Sequence, residues 1–235
     1  MVLEPEYQPG TSPGTGTFAF FGRGRNSRLP GVEPGNKKSI PLQGTHVLEF
    51  IDAPVQDQRT MTNRLTTIWT IGHSTRSLSE FVDLLFPNNI GLLVDIRAFP
   101  GSRRYPHFNK ENLSVSLNEL GIEYVHLPGL GGRRKPKENS SNTAWRHPSF
   151  RGYADYMETD DFRRHAATLE ELASKTNTAY MCSEAPWWKC HRALVSDYLK
   201  IRGWTVLHIM EKNKLTEHPF TNPARHTQGK LSYDA

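Results

Sequence analysis

Residues 67–96 read TIWTIGHSTRSLSEFVDLLFPNNIGLLVDI, and this stretch alone places the chain among α/β proteins. Thr67–Ile71 is rich in β-branched and aromatic side chains, which suit a pleated, half-buried surface, and it reads as a first strand. Leu92–Ile96 is a short, nearly continuous apolar run and reads as a second. Between them Leu78, Phe81, Val82 and Leu85 recur at helical spacing, which predicts a helix over Leu78–Phe86 capped by Ser77 or Ser79. Strand, amphipathic helix and strand make a βαβ unit, the building block of a parallel sheet.

The alternation continues downstream. Lys110–Leu120 suits a helix after Asn109 as N-cap, with Gly121 to end it, and Ile122–Leu127 gives a third strand. Two helical pieces follow, at about Tyr153–Glu158 and Asp160–Ser174. Thr178–Cys182 is a fourth strand, Cys190–Arg202 a helix closed by Gly203, and Trp204–Ile209 a fifth strand. The expectation is a single α/β domain over residues 66–233, with a mostly parallel five-stranded sheet flanked by helices and no internal repeat. Upstream the texture changes: residues 1–45 hold 8 of the 18 Gly and 6 of the 16 Pro. Such a segment has too few apolar side chains to offset the entropy of ordering it. Residues 1–65 are therefore expected to be a disordered or mis-annotated N-terminal extension. Its one apolar cluster, Val47–Ile51, reads equally as a docking patch or an isolated one. Met61 stands just before the first strand, which suggests that translation starts there; peptides of the native protein from upstream of Met61 would refute this.

At 235 residues, 36% hydrophobic and 23% charged, the chain has the composition of an ordinary globular protein with a real core. The formal charge of +5 favours anionic partners in a general way without singling out nucleic acid. No apolar run approaches the roughly 20 residues of a membrane span. No secretory signal opens the chain, and only two Cys are present. A cytoplasmic, reducing location with two free thiols is the expectation.

The unusual polar residues gather just after the strands, where the carboxyl edge of an open α/β sheet forms its ligand crevice. His73 and Ser74 follow the first strand. They read either as a turn and helix cap or as contacts to a phosphate or carboxylate. Asp95, Arg97, Arg103 and Arg104 belong to the second strand and its loop. Asp95 reads as a structural or a catalytic carboxylate, and the arginines as bidentate anion ligands. Gly129–Gly132 lacks the spacing of a nucleotide-binding loop, but it opens a connection of about twenty residues, longer than compact domains usually carry without a functional reason.

The segment after the fourth strand is the most specific. Cys190 is placed in the first turn of a helix, where free amides, the macrodipole and Arg192 would favour a thiolate. Glu184 in the connecting loop is suited to acid–base work or to orienting His191 or Arg192. Cys182, at the end of an apolar strand, reads mainly as a small hydrophobe. Trp187-Trp188 in the same loop offers a cover for the pocket or a stacking surface for a base. Cys182, Glu184, Cys190 and His191 are also a zinc or iron donor set, but on a helix the adjacent Cys190 and His191 would point about 100° apart. Seven residues between the cysteines match no redox motif.

Gly72-His73-Ser74, Asp95-Ile96-Arg97 with Pro100 and Ser102, Tyr124–Pro128 with Leu130-Gly131-Gly132, Cys182-Ser183-Glu184 with Cys190-His191-Arg192, and Leu231-Ser232-Tyr233 occur in order along the chain. This set resembles the bacterial and archaeal "domain of unknown function 488" family over about Thr66–Tyr233. The resemblance implies a compact α/β domain with the Cys-x-Glu…Cys-His-Arg segment as its signature, and it supplies no activity. The residues point to an enzyme, a hydrolase or transferase depending on Cys190 or Glu184, with His191 beside them, that acts on an anionic or nucleotide-type substrate. His73, Ser74, Asp95, Arg97, Arg103 and Arg192 would hold that substrate. The alternatives are a nucleic-acid-binding accessory protein, whose binding would weaken steeply with salt, and a zinc- or iron-binding protein.

Overall fold

The computed structural model describes residues 66–235. The expectations for residues 1–65, including the Val47–Ile51 patch and a start at Met61, lie outside the described residues. Five parallel strands, β1 (Thr67–Gly72), β2 (Leu92–Asp95), β3 (Glu123–His126), β4 (Thr178–Cys182) and β5 (Thr205–Glu211), form the body of the sheet. The expected α/β architecture is present. A sixth strand, β6 (Lys214–Glu217), adds antiparallel to β5, giving the order β3-β2-β4-β1-β5-β6. A separate two-stranded hairpin, β7 (Arg225–Thr227) and β8 (Lys230–Ser232), lies near the carboxyl end. All four β6 residues are exposed, so no buried face writes an alternation into that strand.

Period-two alternation sorts the sheet's side chains onto two packed faces. Ile71, Leu93, Ala179 and Met181 point to one, where α1 (Leu78–Leu85) and α2 (Lys110–Glu119) contribute Phe81, Leu85, Leu113 and Leu117. Ile68, Leu92, Val94, Tyr180 and Val206 point to the other, against α3 (Pro148–Met157), α4 (Asp160–Ala173) and α5 (Arg192–Ile201). A fully buried Leu or Phe of this kind contributes roughly 1.5–3 kcal/mol, so both faces are substantial. Among the described residues no helix is long and apolar enough to cross a membrane.

The local signals act largely as their chemistry dictates. Ser77 caps α1 with Glu80 reaching back to it, and Gly121 and Gly203 end α2 and α5 with φ of +75° and +91°. Two helix starts and one cap bond differ from the sequence expectation. Asn109 precedes α2 but makes no side-chain cap bond, because its Oδ1 accepts from the Ser102 amide at 2.6 Å. α3 starts at Pro148 rather than near Tyr153, since proline suits the first helical position. α5 starts at Arg192, leaving Cys190 extended at φ −131°, ψ 150°.

The strand order positions the site. β4 lies between β2 and β1, so the loops after these three strands are neighbours in space though far apart in sequence. The pairing continues past the strand ends: the His73 amide donates to the Cys182 carbonyl at 3.0 Å, and the Ser74 amide to that of Ser183 at 2.8 Å.

Candidate functional site

A cleft of about 760 Å3 opens at the carboxyl edge of the sheet, walled by the loops after β1, β2, β3 and β4. Its floor carries Cys182, Cys190 and His191. His191 Nδ1 is 3.6 Å from the Cys190 sulfur and 3.9 Å from the Cys182 sulfur, and all three donor atoms lie within 4.8 Å of one another. Cys182 closes the fully buried strand β4. Cys190 arrives from a 3-10 turn at Trp187–Lys189, and its extended backbone lets it and His191 face one point, which two adjacent helical residues would not do.

The two thiols differ in their proton affinity. Burial works against a Cys190 thiolate, but the Cys182 thiol, the Arg192 charge and the Arg192 backbone amide outweigh it and hold the group below the ordinary thiol range. Cys182 is pushed the opposite way, first by its hydrogen bond to Cys190 and then by burial. The proton is thus held less tightly on Cys190 than on Cys182.

Behind this floor lies a buried strut. The Arg97 guanidinium grips Asp95 through Nε, at 2.9 and 3.1 Å, and Nη2 at 2.5 Å, and Nη2 also donates to the Phe108 carbonyl. Its Nη1 lies 3.2 Å from His73 Nε2, while His73 Nδ1 contacts the Ser74 carbonyl at 2.9 Å. Since Arg97 can only donate, His73 Nε2 must accept and Nδ1 carries the proton. Burial, reinforced by the Arg97 charge, lowers the His73 pKa to about 4, so the ring is neutral. Tyr124 donates to the remaining face of Asp95 at 2.7 Å.

The expected site residues therefore divide. Cys190, Glu184, His191, Ser74, His73 and Arg97 all border the cleft. Both His73 nitrogens and most of the Arg97 donors are already committed, so these two shape the wall rather than offering a free ligand. Asp95 is fully buried inside the strut. Arg192 is 1% exposed and turned away: Nη1 donates to Thr70 at 3.0 Å, and Nη2 to the Glu184 and Ala185 carbonyls. It clamps the signature loop onto β1. Arg103 is exposed and does not border the cleft.

Groups that the sequence did not single out also stand on the cleft wall. Arg133 and His147, from the long connection after β3, and Lys189, from the signature loop, are exposed cationic or titratable side chains on the cleft wall. That connection is tied down where Asp155 accepts from the Lys137 amide, Ser140 and Asn142. The length of the connection was the one sequence signal for it. Phe99, 74% exposed, and Trp188, 52% exposed, flank the opening, with the Arg133 guanidinium 5.9 Å from the Phe99 ring centre. Ser74 and Arg133 adopt positive φ, 53° and 64°, and both border the cleft. Non-glycine residues in that region cluster at functional sites.

The family model described as "Domain of unknown function DUF488" matches residues 77–199, which include Asp95 and Arg97 of the strut and the sulfur–imidazole trio, while His73 lies upstream of the match. No curated protein and no solved structure matches the chain.

Proposed function

This chain belongs to the DUF488 family, whose description names no reaction, and from its own residues we propose that it is an enzyme acting on an anionic, nucleotide-type substrate in the cleft. The observation that carries the reading is the convergence of Cys182, Cys190 and His191 on one point at the floor of a 760 Å3 cleft. Titratable groups with shifted proton affinity, gathered in a cleft, are the physical signature of a candidate functional site. The trio is the reacting centre, and Cys190 is the thiol that holds its proton less tightly. Glu184, on the same wall, is the acid–base group.

Arg133 and Lys189 supply free positive charge for a phosphate, and Ser74 and Ser183 supply hydroxyl donors. Phe99 and Trp188 offer faces on which a flat base stacks, which favours a nucleotide over a plain carboxylate. The Asp95–Arg97–His73 strut and the Arg192 clamp are positioning groups.

Adenosine monophosphate and inorganic pyrophosphate are suitable probes. Calorimetry is expected to show wild-type binding that weakens about 10-fold or more, the equivalent of ~1.4 kcal/mol, in an Arg133→Ala, Lys189→Ala double variant. Failure of the wild-type protein to bind either probe, or equal binding by the double variant, would remove the reading. Turnover of any nucleotide found to be a substrate is expected to stop in Cys190→Ser.

A further inference from the structure

Resting on the reading of the trio as the reacting centre, we infer that Cys182, Cys190 and His191 hold a zinc ion whose fourth position faces the cleft. With Zn–S about 2.3 Å and Zn–N about 2.0–2.1 Å at tetrahedral angles, a ligating sulfur and nitrogen lie about 3.6 Å apart. The two sulfur–nitrogen distances here are 3.6 and 3.9 Å. Both sulfurs thus stand near the separation from the imidazole nitrogen that a shared metal requires, and all three donor atoms lie within 4.8 Å of one another. Two thiolates and an imidazole are also the donor chemistry that zinc prefers.

Two further observations bear on the site. A β-carbon added to Gly132 would stand 2.9 Å from His191 Nδ1. Only glycine therefore lets the long connection pass this close to the nitrogen that would bind the metal without crowding it. The trio is also open on one side, since all three residues border the cleft. Structural zinc sites close with a fourth protein ligand, whereas three ligands and an open position are the catalytic pattern. Among the described residues no fourth Cys, His, Asp or Glu joins the trio.

The chemistry then follows from residues already placed. A zinc-bound water gives one proton to the Glu184 carboxylate and becomes a bound hydroxide. The hydroxide oxygen forms the new bond to the electrophilic centre of the substrate, the bond to the leaving group breaks with its electron pair, and Glu184 returns the proton to the leaving group. In this scheme Cys190 acts as ligand and not as nucleophile.

The test is metal content by mass spectrometry of protein purified without chelator and then incubated with excess Zn2+, alongside the absorption spectrum of the Co2+-loaded protein. One zinc per chain is expected, with sulfur-to-cobalt charge-transfer absorption and tetrahedral cobalt bands. Cys182→Ser, Cys190→Ser and His191→Ala should each lose the metal or bind it at least 10-fold more weakly. Glu184→Gln should retain it, and Gly132→Ala, which removes no ligand, should weaken it by crowding Nδ1. A wild-type protein that takes up no zinc, or a cobalt spectrum without sulfur ligation, overturns the inference whether or not the variants fold. Adenosine monophosphate binding by chelator-treated wild-type protein, measured in parallel, separates the two ideas. If it persists while zinc is absent, only the metal assignment fails. If the zinc-loaded protein binds no adenosine monophosphate, the substrate reading fails.

Discussion

Arg97 borders the cleft, but its donors are engaged inside the protein. Its type suits an anion, but the fold supplies that anion as Asp95, buried 2.5 Å away, and spends another donor on His73. Removing one partner of a buried ion pair leaves an uncompensated charge, so Arg97→Ala is expected to destabilise by about 3–5 kcal/mol, read by urea denaturation. A loss well under 1 kcal/mol would show that the strut is not structural. His73 gives a pH signature. Its folded pKa of about 4 lies below the ordinary 6.5, so its contribution to stability is complete above 6.5 and is lost as pH falls from there towards 4. The melting temperature should fall across that window, and less steeply in His73→Gln; parallel pH curves for the two proteins would contradict the assignment. At Gly72 a β-carbon would sit 1.8 Å from the Glu184 carbonyl oxygen, so Gly72→Ala must displace either β1 or the signature loop.

The signature loop is held as an element by contacts its own sequence does not contain. Trp187 stacks on His208 of β5 at 4.4 Å with the rings nearly parallel. His208 in turn meets His218 at 2.9 Å, and His218 meets Asp197 of α5 at 3.0 Å, all three fully buried. His218 stands just after β6 and is brought in by that strand's pairing with β5. The two adjacent tryptophans thus differ: Trp187 anchors the loop and Trp188 faces solvent. Trp187→Ala is expected to destabilise by roughly 2–3 kcal/mol and to loosen the trio. Trp188→Ala should leave the melting temperature within about a degree while weakening nucleotide binding. Equal thermal effects of the two substitutions would refute this division.

At the scale of the molecule, the positive charge facing the cleft comes from Arg133 and Lys189 on two different loops. Attraction between exposed charges is screened over about 8–10 Å at 0.1–0.15 M salt. Adenosine monophosphate binding should therefore weaken several-fold between low and physiological salt, whereas a flat response would place its recognition in the neutral groups. The sequence by itself determined the five parallel strands and their helices, because the periods of burial are written in consecutive residues such as 67–96. It also determined the loops from which the site is built, since ligand crevices of such sheets lie beyond the strand ends. Strand β6 was not legible, as an exposed strand leaves no alternation. The interior of the site was decided only by tertiary structure. That β4 lies between β1 and β2, that an extended Cys190 turns its sulfur beside His191, that Arg192 and Arg97 face inward and that Arg133 and His147 stand on the cleft wall all depend on contacts between residues distant in the chain. Local patterning specifies which face of an element is buried, and only the packing of elements against one another specifies which polar side chains are left free to meet a substrate.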